Sequence, residues 1–152
     1  MIHTENRAEF LQAYLLEHIP ITQALAIKVN YCSGQRVSLS APLLANINHK
    51  KTVFGGSLHA VATLACWGLV FINLLNRQYP AEIVIAESQI DYLLPVENDF
   101  TAESVWTDPQ NWEKFYRLLM KKKRGRIEVN AKIYQNEQLA VNYRGTFVAL
   151  MS

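Results

Sequence analysis

The chain has 152 residues, half of them hydrophobic, with a formal net charge of +2 and two cysteines. That length fills one core, which gives a single domain over residues 1–152, and the mixing of acids and bases along it excludes a nucleic-acid surface. Cys32 and Cys66 have no ligand spacing between them, which excludes both a disulfide scaffold and a metal site. Met1 to Glu9 is polar and does not read as a signal peptide, so the expected compartment is the cytoplasm.

The first element is a helix capped at Thr4, with Phe10, Leu11, Tyr14 and Leu15 at helical spacing and Pro20 as its stop. Leu25 to Tyr31 and Arg36 to Ala41 alternate as two short strands around a Ser33-Gly34 turn. A polar loop from Asn46 to Thr52 then leads into Gly55-Gly56-Ser57 and a run that is apolar on nearly all sides up to Arg77. Such a helix is stable when it is buried all round or lies in lipid. His59, Thr63 and Asn73 within the run, and strand patterns on both sides of it, predict a buried central helix and no membrane span.

Downstream the period falls to two. Ile83 to Leu94, Thr101 to Thr107, Arg126 to Tyr134 and Leu139 to Leu150 read as strands, with Asn136-Glu137 as the turn between the last pair. Asp108-Pro109 caps and starts a helix with Trp112, Phe115, Tyr116 and Leu119 on one side, and Gly125 is predicted to end it. These elements predict an α+β domain in which an antiparallel sheet of five to six strands wraps a long central helix, with an extra N-terminal helix and another after Asp108.

The junction from Asn46 to Ser57 carries the functional signal. A Gly pair lets backbone approach a ligand closely, and the first amides of the helix present unpaired N–H groups at its positive end. Gly56 is the first candidate for an oxyanion donor. Asn48 has a side-chain amide suited to holding a carboxylate or a water, and His59, three residues after Gly56, lies one turn into the helix where its imidazole can transfer a proton near neutral pH.

Two local patterns extend this reading to a family. Asn48-x-x-Lys51-Thr52-x-x-Gly55-Gly56 is similar to the Asn-x-x-Gly-Thr-x-His-Gly-Gly stretch of many hotdog-fold thioesterases, and Ile90-Asp-Tyr92-Leu-Leu-Pro95-Val-x-Asn98-Asp99-Phe-x-Ala102 resembles the strand and turn that follow their central helix. The Thr-Val-Phe-Gly-Gly-Ser-Leu phrase, the Ala65-Cys66-Trp67-Gly68 step and the helix after Asp108 most resemble the thioesterase-like YiiD C-terminal domain family. The resemblance implies a hotdog fold, a homodimer or homotetramer, and an acyl thioester substrate carried by coenzyme A or an acyl carrier protein. No separate cofactor is implied, because coenzyme A or phosphopantetheine is part of the substrate. Catalytic roles fall to Asn48, Gly56 and His59, and substrate-binding roles to Asn46, Phe54, Gly55, Ser57 and Thr63.

Departures from the pattern bear on the reaction. Where hydrolytic relatives commonly place an Asp or Glu, seven residues after the second glycine, this chain has Thr63; Phe54 replaces the His before the glycine pair, and Lys51 a Gly. Two activities stay open on the resemblance: thioester hydrolysis, and decarboxylation of a malonyl thioester to supply fatty-acid starter units. Decarboxylation needs an enolate sink but no base to activate water. A non-catalytic acyl-thioester binding module is the third reading. Glu87 or Asp91, on one face of the following strand, is either a solvated charge or a carboxylate delivered to the site.

Structural readings stand beside the catalytic ones. Asn46 and Asn48 suit a turn closed on its own backbone, the Gly pair suits helix packing, His59 suits a satisfied core residue, and Thr63 suits a bond back to its own helix. The basic run Lys121-Lys122-Lys123-Arg124-x-Arg126 suits either a solvated helix end or a dock for coenzyme A phosphates or an acidic carrier protein. Cys66 reads as core packing.

Overall fold

The structure, a computed structural model, describes residues 4–152, with the side chains of residues 4–6 outside that description. In chain order it comprises α1 (Thr4–His18), α2 (Ile21–Leu25), β1 (Lys28–Cys32), β2 (Arg36–Ala41), a 3₁₀ turn (Leu44–Asn46), α3 (Gly55–Asn76), β3 (Ala81–Tyr92), β4 (Phe100–Val105), α4 (Pro109–Lys122), β5 (Arg124–Gln135) and β6 (Gln138–Met151). The strands form one antiparallel sheet in the order β1-β2-β4-β5-β6-β3. α3 packs against β2 to β6.

The helical stripe of α1 divides in two. Leu11 and Leu15 are fully buried, whereas Phe10 and Tyr14 stay nearer the surface and stack on Trp67 and Phe71 of α3. The predicted Thr4 cap concerns a side chain outside the described residues. Past Pro20 the chain makes a short helix that delays the strand expected from Leu25. The Thr22 hydroxyl donates to the carbonyls of Leu15 (3.0 Å) and Ile19 (2.7 Å), Ala26 takes a left-handed φ of 56°, and the strand starts only at Lys28.

α3 is long and apolar enough to cross a membrane, yet 61% of its most apolar window is buried within the protein. Here the sheet covers the apolar surface that lipid would otherwise cover. Its buried face, including Leu58, Val61, Ala65, Leu69 and Ile72, forms the middle of one hydrophobic core. That core continues into Val37 and Leu39 of β2, Ile133 of β5 and Phe147 of β6.

The later elements follow the period-two reading, and Asn136 and Glu137 both take positive φ (51° and 67°), as a two-residue hairpin of the favoured twist requires. In α4 the expected residues Trp112, Phe115, Tyr116 and Leu119 are the buried ones. Asp108 sits at the cap position, where its backbone carbonyl accepts from the N–H groups of Asn111 (3.0 Å) and Trp112 (3.3 Å), but its side chain accepts from the Asn111 side chain and makes no cap bond. The end of α4 differs too: Lys123 supplies the left-handed residue (φ 62°), and Gly125 lies within β5. Gly125 is needed for close approach, because a Cβ there would come within 2.9 Å of the Phe115 carbonyl oxygen.

One irregularity positions the site. β3 pairs with β6 in regular register up to Ile85↔Phe147, then skips a residue so that Glu87 faces Thr146 and Ser88 faces Gly145. Strict alternation from Ile83 and Ile85 would turn Glu87, Gln89 and Asp91 toward α3. The bulge reverses the phase, and Ser88, Ile90 and Tyr92 point inward instead.

Candidate active site at the start of the central helix

The loop before α3 is held by its two asparagines. The Asn46 side chain is buried and its Nδ2 donates to the carbonyls of Leu25 (3.0 Å) and Pro42 (2.9 Å), while its own carbonyl accepts from the Phe54 N–H (2.7 Å). Its Oδ1 is buried without a partner. Asn48 accepts at Oδ1 from the N–H groups of Lys50 (2.8 Å) and Thr52 (3.1 Å) and donates from Nδ2 to Thr52 Oγ1 (2.8 Å). These are the bonds of a loop brace. They let Lys51 adopt its positive φ of 65° and set Phe54 at the helix entrance.

Phe54 stands at the N-cap position without a side-chain cap, and its carbonyl accepts from the N–H groups of Ser57 (2.9 Å) and Leu58 (3.2 Å). Its half-exposed ring folds over Gly56, where any Cβ would collide with it. Tyr92, at the inward end of β3, donates its hydroxyl to the Gly55 carbonyl (3.0 Å). An apolar cleft of about 290 Å³ opens beside Gly55, lined by Val53, Leu58, Tyr92, Leu94 and Val96 among others. The positive end of α3 therefore opens next to a greasy cleft. Ser57 is buried at the helix start.

One turn further along α3 a polar cluster fills the space between helix and sheet. His59 Nε2 lies 3.1 Å from Ser88 Oγ, and His59 Nδ1 lies 3.4 Å from Thr63 Oγ1. Thr63 donates to the His59 carbonyl (2.8 Å), the helix-internal bond expected of it, and its oxygen lies 2.8 Å from the Tyr143 phenol. The His59 ring meets the Tyr143 ring edge-on at 5.3 Å between centroids. Burial raises the Tyr143 pKa above its usual value, against the opposing effect of hydrogen bonds to Thr63 and Ser88, so the phenol keeps its proton at neutral pH. Gly145 makes room for the cluster: a Cβ there would stand 2.9 Å from the Tyr143 hydroxyl oxygen.

The structure thus brings His59 and Thr63 together and ties Asn46, Asn48 and Phe54 into the entrance. Ser88, Tyr143 and Gly145 join them without a local signal in the sequence, and Tyr92 joins from the Ile90-Asp-Tyr92 pattern. The β3 carboxylates go elsewhere. Glu87 points to the outer face, 3.7 Å from Arg126, into a groove of about 580 Å³ that Lys114, Lys122, Arg124 and Glu128 also line. Asp91 follows Glu87 and Gln89 on that face by strand alternation.

Among the described residues no three His, Cys, Asp or Glu side chains converge as metal ligands. Cys66 is buried in α3 and its thiol is pushed by that burial up to about 12, far from a reactive thiolate.

The likeness to known proteins agrees with this architecture. Residues 8–151 match the family model described as "Putative thioesterase (yiiD_Cterm)". A protein of unknown function from Chlorobaculum tepidum TLS is 27% identical, with a TM-score of 0.94 over 99% of this chain and 98% of its own. A putative thioesterase from Shewanella oneidensis is 24% identical, with a TM-score of 0.82 over 96% and 98%. A probable thioesterase from Pseudomonas aeruginosa shares the fold at 14% identity, with a TM-score of 0.78 over 95% of each chain. With the hotdog arrangement of long helix and six-stranded antiparallel sheet in place, the match over nearly the whole length makes this chain a member of the YiiD C-terminal, thioesterase-like family.

Proposed function

We propose that this protein is an enzyme acting on acyl thioesters of coenzyme A or an acyl carrier protein, and that it cleaves them by thioesterase-type hydrolysis. The observation that carries the proposal is the uncapped start of α3 beside an apolar cleft. A thioester carbonyl gains negative charge on oxygen as it is attacked, and amides already aimed from a helix N-terminus stabilise that charge without reorganising. Gly55 and Gly56 let the Tyr92 and Phe54 rings close directly on the helix start. Phe54, Leu58 and Tyr92 supply the apolar walls that accept an acyl chain and exclude water.

Asn46 and Asn48 act in this scheme through the loop they brace. The basic groove at Lys114, Lys122, Arg124 and Arg126 is suited to the phosphates of coenzyme A or the acidic face of a carrier protein. β3 lies at an open sheet edge, so the working form is a homo-oligomer in which a second copy closes the site.

A second reading has its own observation. Neither Glu87 nor Asp91 reaches the concave side, and Thr63 stands where hydrolytic relatives carry an acid. Decarboxylation of a malonyl thioester, which needs only the oxyanion site and a dry environment, is favoured by that lack.

Incubating the protein with malonyl and medium-chain thioesters of both carriers separates the readings. Hydrolysis releases free thiol and carboxylic acid, decarboxylation converts malonyl to acetyl thioester, and tight binding without either product describes a binding module. Failure to bind or turn over any thioester overturns the proposal.

A further inference from the structure

We infer that Ser88 and His59 form a nucleophile and base pair, and that hydrolysis passes through an acyl ester on Ser88 Oγ. The inference rests on the hydrolytic reading above and supplies a route that needs no carboxylate.

The geometry supports the roles atom by atom. Ser88 Oγ is 3.1 Å from His59 Nε2, within reach for transfer of the hydroxyl proton, and both side chains meet at an exposed position on the rim of the concave face. A base needs a third group to fix its ring and tautomer, and Thr63 Oγ1 lies on the other ring nitrogen, Nδ1. One proton assignment of the Thr63 contacts leaves His59 Nε2 free to act as the base. The Thr63 hydroxyl donates to the His59 carbonyl at 2.8 Å, leaving its oxygen to accept from His59 Nδ1–H and from the Tyr143 phenol. Nε2 is then the free lone pair, and it faces Ser88. The buried phenol, which keeps its proton, holds Thr63 in place; Tyr143 and Thr63 are positioning residues.

The sheet is built to make this meeting. Without the bulge after Ile85, a glutamate would occupy the inward phase and Ser88 would face outward. Gly145, the residue paired with Ser88, leaves the volume into which the Tyr143 phenol extends. The pair lies one turn along α3 from the glycines proposed to receive the carbonyl oxygen, on the same side of the helix start.

In the first step Ser88 Oγ forms a bond to the thioester carbon as its proton passes to His59 Nε2. The carbon–sulfur bond then breaks, and the departing sulfur takes that proton to leave as the thiol. In the second step His59 removes a proton from water, the water oxygen bonds to the acyl carbon, and the bond to Oγ breaks as the proton returns to Ser88. The products are one carboxylic acid and one thiol, with the enzyme restored.

Labelling, trapping and rate measurements on the full chain and its variants test the pair. A fluorophosphonate probe should label Ser88, found by peptide mass spectrometry, and His59→Gln should abolish the labelling. Acid-quenched mixtures with a medium-chain acyl thioester should show an acyl mass on Ser88. Ser88→Ala should lower hydrolysis by about 100-fold or more, and Ser88→Cys should hold the acyl group as a longer-lived adduct, which shows that a substituted protein still folds. Full hydrolysis by Ser88→Ala with no adduct in the native protein overturns the inference and leaves the thioesterase reading standing. Probe labelling that depends on His59, without cleavage of any thioester, supports the activated pair and removes the hydrolytic reading. A native protein that neither reacts with the probe nor cleaves any thioester overturns both.

Discussion

The sheet has two edges, and they are finished in opposite ways. β1 is five residues long, interrupted by a bulge between Val29 and Tyr31, and covered by α1, whose Gln12 side chain accepts from the Val29 N–H at 2.9 Å. β3 is twelve residues long and carries Val84 and Ile85 half exposed, with no further strand beside it among the described residues. A short strand under a helix is how a sheet edge is closed against other chains; a long uncovered edge with apolar side chains invites one. The closed edge therefore serves stability, and the open edge carries Ser88 and Tyr92 and serves the site.

If that contrast is right, charge placed on the open edge should have the largest effect. The native protein is expected to sediment as an oligomer and a Val84→Lys, Ile85→Lys variant as a monomer that loses at least about tenfold in thioester hydrolysis while its circular dichroism is unchanged. A monomer with full activity would detach the site from assembly. On the closed edge the largest effect is on folding. Leu15 is fully buried and holds α1 over β1, so Leu15→Ala should cost about 2–5 kcal/mol in urea unfolding without altering the oligomeric state of the folded protein.

A finer probe of the same edge is Gln12→Ala, which deletes the single side-chain bond to Val29. Its expected cost is about 1 kcal/mol, a fall in melting temperature of about 2–4 °C, with hydrolysis unaffected. The smallest effect is a pH dependence that arises on the closed side. Burial pushes the Cys32 thiol on β1 up to about 11 from 9.0, with Arg7 opposing the shift. The folded protein therefore holds that proton more tightly than the unfolded chain, and this contribution to stability, complete below pH 9, fades as pH rises toward 11. Cys32→Ala should flatten the fall in stability across that window and leave pH 7 to 8 unaffected by titration.

Elements with a strong local period were legible in the sequence. The α3 run, the α4 stripe and the alternation of β5 each carry enough apolar positions to set type and face. Element ends were less so, because partners distant in the chain decide them: Thr22 bonds the end of α1, and Lys123 accepts a left-handed conformation that frees Gly125 for the approach to Phe115. The site divides in the same way. The glycine pair and its asparagine loop are contiguous and could be read directly. Ser88 and Tyr143 could not, since their meeting with His59 and Thr63 depends on strand register and on one skipped residue that also turns Glu87 away.

The most direct test is a crystal structure with a non-cleavable thioether or amide analogue of an acyl thioester. The account predicts the carbonyl oxygen at hydrogen-bond distance from the Gly55 or Gly56 N–H, the acyl chain against Leu58 and Tyr92, and the carbonyl carbon facing Ser88 Oγ. An analogue bound elsewhere, with the start of α3 empty, would contradict it.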